Sequence, residues 1–249
     1  MSAVNFFKDV SDPYSRRARL FPGITITLPV SILTVVLVTT KPAWWSGVVL
    51  VLGASGVSFL GAQLVRTAGK GKEQALWTSW GGAPTTQLLR FKGASNQVTV
   101  QRRHDQLAHI FPDLSMPDES AESTNPKLAD EHYETAIGAL IEHTRDTNRF
   151  PRVFDELCQY GFRRNLWGCR KIGLWLAVLG LASTITLGAL NLSNTISVSL
   201  LGIGLSAGID ILLFIVLIFV VQEKWVRQAA DAYAARLLGG LEILAKAKV

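Results

Sequence analysis

Cysteine, histidine and charged residues are scarce in this chain of 249 residues. Its two cysteines, Cys158 and Cys169, form no disulfide framework and lack the spacing of a metal site, so we expect both to be reduced. The four histidines are scattered, and no serine or cysteine has an evident base nearby, so we expect no metal, no cofactor and no enzyme activity. Charged residues make up 18% of the chain and hydrophobic residues 49%, which favours a protein in contact with lipid.

Four long apolar runs lie in two pairs, one on each side of a polar stretch at residues 67–171. An apolar helix of about 20 residues crosses a hydrocarbon core of ~30 Å, and in lipid a helix satisfies its own backbone hydrogen bonds. We therefore predict an all-α membrane protein with four transmembrane helices in two hairpins and a mainly helical cytosolic domain inserted between them. The runs are Ile24–Thr39, which Leu20–Gly23 can extend, Trp45–Val65, Ile172–Leu190 and Ile196–Val221.

The distribution of basic residues gives the expected orientation. Of the 25 lysine and arginine residues, only Lys41 lies in a loop assigned to the outside. The positive-inside rule therefore predicts that both termini and the polar stretch face the cytoplasm. Basic residues at Arg16, Arg17 and Arg19 precede the first run, as in a signal peptide, but no small-x-small cleavage site follows it, so we expect an uncleaved anchor.

The expected domain boundaries follow from these spans. They give an N-terminal arm at residues 1–22, a first hairpin at 23–66, the cytosolic domain at 67–171, a second hairpin at 172–221 and a helical tail at 222–249.

Local patterns predict the helices outside the membrane. Asp12 and Pro13 form a helix start, and apolar spacing indicates helices at Glu131–Thr144 and Phe150–Trp167. Gln97–Phe111 fits a helix in its later residues and a strand in its earlier ones, and we predict a helix. Pro112–Lys127 has the composition of an exposed, mobile loop. The last span meets no helix breaker before Gly239, so we expect one helix to continue from the membrane through Leu238.

Asp210 is the most informative single residue, because it lies near the middle of the fourth apolar run. A charge at that depth costs roughly 2.5–3.5 kcal/mol, so the side chain should face a cavity, a partner or a pore. Ser206 lies four residues earlier on the same helix face, and Gly204 and Gly208 form a Gly-x-x-x-Gly surface for another helix. Alternatively, Asp210 only bonds a neighbouring helix, through a hydroxyl such as that of Ser183, Thr184 or Thr186.

The polar stretch contains a candidate site for an anionic ligand. Basic side chains can hold phosphate groups, a glycine-rich turn before a helix can supply backbone N–H groups, and aromatic rings can stack bases. The alternative is that the tryptophans anchor in the headgroup layer beside basic residues that face lipid. The candidate ligand residues are Trp77, Trp80, Thr85, Thr86, Arg90, Lys92, Arg102 and Arg103. A second basic set is expected to face lipid or to fix the orientation of the chain in the membrane: Arg149, Arg152, Arg163, Arg164, Arg170 and Lys171.

The span count, the basic and aromatic region around Trp77–Arg103 and the acid Asp210 together resemble the membrane effectors of bacterial antiphage systems that pair with a nucleotidyltransferase, including the Hailong-type channel effector. The resemblance implies a homo-oligomeric ion channel in the bacterial inner membrane, controlled by a nucleotide or single-stranded oligonucleotide ligand. It also implies a nucleotidyltransferase partner. The alternative function is a membrane-anchored scaffold or sensor without a pore.

Overall fold

The structure is a computed structural model that describes residues 11–38, 65 and 67–246. Every regular element in these ranges is a helix. The chain divides into two compact units. We call the first the membrane unit, formed by Met1–Glu73 and Gly161–Val226, and the second the polar unit, formed by Gln74–Tyr160 and Arg227–Val249.

The helices are numbered here in chain order. Helix α1 runs from residue 13 to 38 and consists of a turn at Pro13–Ser15, a π-helical stretch at Arg16–Leu20 and an α-helix at Phe21–Val38. The next are α2 at residues 67–79, α3 at Pro84–Gln87, α4 at Gln97–Ile110, α5 at Glu119–Thr124 and α6 at Pro126–His143. The last are α7 at Pro151–Gly168, α8 at Arg170–Leu192, α9 at Leu200–Phe219, α10 at Glu223–Gly239 and α11 at Leu241–Lys246.

Three helices in the described ranges are long and apolar enough to cross a membrane. They cover Pro13–Leu37 with 25 residues, Arg170–Leu192 with 23 and Leu200–Phe219 with 20. Large apolar side chains on α8 and α9 are 67–80% exposed, as expected of surfaces that face lipid: Trp175, Leu192, Leu200, Leu201 and Phe219. The predicted second span, Trp45–Val65, lies outside the described residues apart from Val65.

Small residues on one face of α8 let the helices of the membrane unit pack closely. A Cβ added at Gly173 would lie 2.8 Å from Leu217 Cδ1 of α9 and 3.3 Å from Ile26 Cγ2 of α1. Ala177 and Gly180 continue this buried face. Because small residues allow close approach of backbones in lipid, α8 is the helix against which α1 and α9 pack.

Asp12 and Gly161 have the local roles in the membrane unit that a helix cap and a small residue can have. Asp12 caps α1, since its Oδ2 accepts a 2.7 Å hydrogen bond from the N–H of Ser15. Gly161 does not interrupt α7, although glycine in general disfavours the interior of a helix. A Cβ there would lie 2.8 Å from Ala18 Cβ and 3.0 Å from the hydroxyl of Tyr14, so glycine permits a close contact with α1.

The prediction of one helix from the last span to Leu238 is wrong, because α9 ends at Phe219 and α10 begins at Glu223. No glycine or proline causes the break. The carbonyl of Ile218, in the last turn of α9, accepts hydrogen bonds from Arg170 Nη2 at 3.2 Å and Gln222 Nε2 at 3.3 Å. Side chains thus satisfy this terminal carbonyl, and the helix can end without a residue that disfavours helix.

The polar unit has its own apolar core, to which every helix from α4 to α7 except α5 contributes buried residues. Leu107 and Tyr133 are fully buried in it, and Phe150 is 2% exposed. Leu237 in the last part of α10 and Leu241 at the start of α11 complete the core, and both are fully buried. The predicted helices at Gln97–Phe111, Glu131–Thr144 and Phe150–Trp167 are confirmed as α4, α6 and α7.

The segment Pro112–Lys127, predicted as an exposed loop, contains helix α5 and the start of α6. The reason is Glu122, whose side chain is 5% exposed. Its Oε2 accepts hydrogen bonds from the N–H of Phe91 at 2.9 Å and the hydroxyl of Tyr133 at 2.8 Å, and its Oε1 accepts one from the N–H of Lys92 at 2.9 Å. This buried carboxylate with three donors holds α5 in place, and Leu114 and Met116 of the preceding loop pack against the apolar core.

Stability of the polar unit should fall at mildly acidic pH because of His104. The ring is 4% exposed, its Nε2 lies 2.8 Å from the carbonyl of Leu89, and it contacts the rings of Phe91 and Tyr133. Burial lowers the pKa of His104 below its ordinary value of 6.5. The unfolded chain therefore takes up the proton first, so stability is fully present above about pH 6.5 and is lost as the pH falls towards the lower folded pKa, by up to about 1.4 kcal/mol per pH unit.

Hydrogen exchange of α4 and α6 peptides between about pH 7 and pH 5, corrected for the intrinsic exchange rate, measures this loss. The variant His104→Gln keeps a donor for the carbonyl of Leu89 and cannot titrate, so its stability should change less with pH. His109→Gln, at an exposed position on the same helix, is the matched control and should behave as the wild type. An unchanged pH dependence in His104→Gln would assign the effect to another group.

Candidate functional site

Asp210 lies in α9 with its side chain turned against α8. It is 1% exposed, and neither carboxyl oxygen has a hydrogen-bond partner in the part of the chain that the structure describes. A Cβ added at Gly180 of α8 would lie 2.8 Å from Oδ2 of Asp210 and 3.0 Å from Oδ1. The absence of a side chain at Gly180 therefore creates the space that the carboxyl group occupies.

Two hydroxyl groups extend this polar contact between α8 and α9. Thr184 Oγ1 lies 2.8 Å from the carbonyl of Gly180 and 3.3 Å from Ser206 Oγ. Thr184 and Ser206 are 2% and 1% exposed. Together with Asp210 they form a buried polar line inside an otherwise apolar pair of helices.

The alternative in which Asp210 bonds a hydroxyl of the third apolar run is not what the structure contains. Thr184 bonds Ser206 instead, and Ser183 and Thr186 donate to carbonyls of their own helix, at 2.8 and 2.9 Å. A cavity of about 140 Å³ lies beside Asp210, and its other lining residues are apolar: Ala177, Val178, Leu181, Ile211 and Phe214. The carboxyl group thus stands next to a small apolar space.

Gly204 and Gly208, predicted as the close-packing surface of the fourth apolar run, do not pack against another described helix. A Cβ added at either position would meet no atom within 4 Å in the described ranges. Close packing comes instead from Gly173 and Gly180 on α8. The sequence signal for this face is the series of small residues at 173, 177, 180 and 184.

Four of the predicted ligand residues line one cavity of about 650 Å³ in the polar unit: Trp77, Thr85, Thr86 and Arg90. The rings of Tyr160 and Tyr233, stacked at 6.3 Å between centroids, also line it. Trp77 Nε1 and Thr86 Oγ1 are buried without a hydrogen-bond partner among the described residues. The structure therefore brings the aromatic and hydroxyl parts of the predicted site together.

Arg90 is committed to structural contacts in this cavity. Its Nε and Nη2 donate to both carboxylate oxygens of Asp130 at 2.7 Å, and its Nη1 donates to the carbonyl of Gly81 at 2.7 Å. The hydrogen bond to Asp130 raises the pKa of Arg90. Gly82, at φ +125°, leaves room for the guanidinium, since a Cβ there would lie 2.7 Å from Nη2. Arg90 thus holds the glycine turn against α6.

The other basic residues of the predicted ligand site do not line this cavity. Arg102 forms an exposed ion pair with Glu242 at 3.0 Å. Arg103 donates to the carbonyl of Leu88 at 2.8 Å, and burial lowers its pKa. Lys92 is exposed. The structure therefore does not assemble the four predicted cations into one site.

The indole ring of Trp80, a residue also predicted to bind ligand, is covered by the cationic side chain of Arg227. The guanidinium of Arg227 lies 5.0 Å from the centroid of its ring and donates to Gln87 Oε1 at 2.7 Å. Gln87 in turn donates to the carbonyls of Trp80 and Gly82 at 2.8 and 2.7 Å. Trp80 thus belongs to the support of the glycine turn.

The charge balance of the Trp77 cavity is negative. Its charged lining residues are Arg90, Asp130 and Glu134, and the first two neutralise each other. An aromatic cavity with a surplus carboxylate suits a flat molecule without net negative charge better than a phosphate. The geometry here does not favour the anionic ligand that the sequence predicted for these residues.

No protein-family model, curated protein or solved structure matches this chain at a significant level. In residues 11–38, 65 and 67–246, no group of three or more histidine, cysteine, aspartate or glutamate side chains could hold a metal ion. Neither cysteine forms a disulfide, and both are buried.

Proposed function

We propose that this protein is a homo-oligomeric, ligand-gated ion channel or membrane-permeabilising effector. The observation that carries the proposal is Asp210, an intramembrane carboxyl group that is 1% exposed and has no hydrogen-bond partner in the described ranges. Such a group costs free energy in a membrane helix and commonly marks an ion or proton path. Its hydroxyl neighbours Thr184 and Ser206 would extend that path along the contact between α8 and α9.

The proposal includes four spans in two hairpins, with both termini and the polar unit in the cytoplasm of a bacterial cell. Three candidate spans and the near absence of basic residues from the assigned outer loops support this topology. In the same proposal the controlling ligand is a nucleotide or oligonucleotide bound by the polar unit. An antiphage role beside a nucleotidyltransferase then follows from the resemblance given above.

Opening in this proposal separates α8 from α9 at Gly180 and admits water to Asp210. In the conformation described here, the two helices shield the carboxyl group from solvent. A buried polar group without a partner lowers the cost of such a separation, because hydration compensates for the lost packing. Water that reaches Asp210, Ser206 and Thr184 would form a continuous polar path in part of the span.

Gly180→Ala tests this mechanism. Its methyl group would lie 2.8–3.0 Å from the carboxyl atoms of Asp210, so the helices must move apart or Asp210 must leave its site. Overpacking of this kind costs about 1–3 kcal/mol, which would raise the population of a separated conformation by about 5–150-fold. We expect ion flux from liposomes containing the variant to rise severalfold in the absence of ligand.

Gly188→Ala is the matched control, because the same change on the same helix places its Cβ 3.9 Å from Ile203 Cγ2, at ordinary contact distance. Flux that rises equally in both variants would indicate general loosening of α8. If wild type and Gly180→Ala leave liposomes sealed under all ligand conditions, and expression leaves the membrane potential of cells intact, the protein is a scaffold or sensor without a pore.

A further inference from the structure

A second cavity of the polar unit is lined by arginine side chains and by no acidic residue. It has a volume of about 320 Å³ and lies where the start of α7 meets the junction of α10 and α11. Arg149 precedes α7, Arg152 lies in its first turn and Arg236 lies in the last turn of α10. We call this the arginine cavity.

These three arginines differ from the others in the polar unit, each of which has a defined acceptor. Arg90, Arg102, Arg145 and Arg227 form ion pairs with Asp130, Glu242, Glu142 and Asp231, and Arg103 donates to the carbonyl of Leu88. No carboxylate or carbonyl partner exists for the guanidinium groups of the arginine cavity within residues 11–38, 65 and 67–246. Three like charges thus line one space, and no acidic residue lines it with them.

The second basic set of the sequence, predicted to face lipid or to serve topology, divides accordingly. Its later arginines belong to the membrane unit and have acceptors there: Arg163 donates to the carbonyl of Trp225 at 3.1 Å, Arg170 to that of Ile218 at 3.2 Å, and Arg164 pairs with Glu73. Lys171 of the same unit is exposed. Its earlier members, Arg149 and Arg152, line the arginine cavity instead.

The floor of the arginine cavity is fixed by the core of the polar unit. Phe150 is 2% exposed and Val153 7%, and both pack with Leu237 and Leu241. A Cβ added at Gly240 would lie 2.9 Å from the carbonyl of Leu237 and 3.7 Å from the ring of Phe150, so the α10–α11 junction lies directly against this floor. The guanidinium of Arg149 lies 5.4 Å from the centroid of the Phe150 ring. The arginines therefore project from a rigid base.

We propose that the arginine cavity binds a phosphate oxyanion, carried either by a soluble nucleotide-like molecule or by a phosphorylated lipid headgroup. Guanidinium groups match phosphate oxygens with paired hydrogen bonds, and a bound anion would relieve the repulsion among three unpaired cations. The volume lies at the small end of ligand pockets, which are about 300–1,000 Å³, and suits a phosphate with part of its carrier. The inference that this cavity holds the gating ligand rests on the proposed function. Phosphate binding itself is measured in an experiment that requires no ion flux.

The test uses the full chain in nanodiscs of phosphatidylcholine, with inorganic diphosphate as the soluble probe in calorimetric titrations. Arg149→Gln, Arg152→Gln and Arg236→Gln should each weaken diphosphate binding by about tenfold, the effect of losing one charge-assisted contact. Arg102→Gln and Arg145→Gln remove the same charge from exposed positions of the same unit outside the cavity. These controls should weaken binding less than about twofold, as expected of screened distant charges.

A second arm identifies the source of the phosphate. The chain is transferred to nanodiscs that contain a phosphoinositide, and diphosphate titrations are repeated. A phosphoinositide that competes with diphosphate, in a manner abolished by Arg152→Gln, supports a lipid headgroup as the ligand. Unchanged diphosphate affinity in these nanodiscs supports a soluble ligand.

The inference is overturned if neither probe binds saturably, or if the control variants weaken binding as much as the cavity variants. Its failure is distinguishable from failure of the proposed function, because flux is measured separately. Arginine-dependent diphosphate binding with sealed liposomes would leave the arginine cavity as a phosphate site and reject the channel. Ligand-dependent flux that persists unchanged in all three cavity variants would support the channel and reject the arginine cavity as the site of its ligand.

Discussion

Replacing Asp210 with asparagine should raise the free energy of unfolding of the membrane unit and abolish ion flux. The carboxyl group is buried against Gly180 without a hydrogen-bond partner in the described ranges, so its ionised form contributes a cost rather than a bond. Asparagine has nearly the same shape and cannot ionise. We expect a gain of about 1 kcal/mol or more, because the neutral amide avoids the cost of burying a charge although it is still a polar group without a partner. Thermal unfolding in detergent and hydrogen exchange of α8 and α9 measure this gain.

The simultaneous loss of flux is what separates a functional carboxyl group from a structural one. A group retained for function can cost stability, whereas a structural hydrogen bond cannot be removed without loss. Asp113→Asn, the same change at an exposed site of the polar unit, is the control and should alter neither quantity. A destabilised Asp210→Asn protein would mean that the carboxyl group bonds a partner and would remove the main support for the channel.

Replacing Glu122 with alanine should destabilise the polar unit more than any other single change discussed here. Its carboxylate is the shared acceptor for the N–H groups of Phe91 and Lys92 and for the hydroxyl of Tyr133. Burial and the hydrogen bond to Glu122 raise the pKa of Tyr133, so its hydroxyl keeps its proton and remains a donor at neutral pH. Loss of the carboxylate leaves buried donors unpaired, and we expect a cost of about 3–5 kcal/mol.

Hydrogen exchange of peptides from α4 and α6 measures this loss in the intact protein, because it reports the opening free energy of each segment. Glu119→Ala removes an exposed carboxylate from the same short helix, where its only described bond is a 3.3 Å contact with Gln97, and should change stability by less than about 0.5 kcal/mol. If Glu119→Ala and Glu122→Ala accelerate exchange equally, α5 is held by its helix ends and not by the buried carboxylate.

The elements that the sequence predicted well are those with a long apolar period. Helices α6 and α7 repeat apolar residues over several turns, and the three candidate spans are long apolar runs. Both patterns are readable from neighbours in sequence. Helix α5 has no such pattern. Its position depends on Glu122, which accepts bonds from Phe91 and Lys92 some 30 residues earlier, and no local rule contains that information.

The candidate site shows the same division between local and distant information. Asp210 stood out because a single acid in an apolar run is a local anomaly. The ligand prediction grouped Arg90 with Arg102 because they are near in sequence, yet Arg90 is committed to Asp130, 40 residues away, and Arg102 to Glu242, 140 residues away. Which arginines lack an acceptor follows from tertiary pairing, so the grouping of Arg149 and Arg152 with Arg236 emerges only from the structure.

The way in which α9 ends has a mechanical consequence. Arg170 and Gln222 supply the hydrogen bonds at the carbonyl of Ile218, and residues 220–222 include neither glycine nor proline. The backbone at this joint is therefore compatible with a continuous helix. Rotamer changes of Arg170 and Gln222 would free this carbonyl. If the turn from the N–H of Gln222 to the carbonyl of Val220, 2.8 Å long, then rearranged to helical hydrogen bonds, α9 would elongate by a turn.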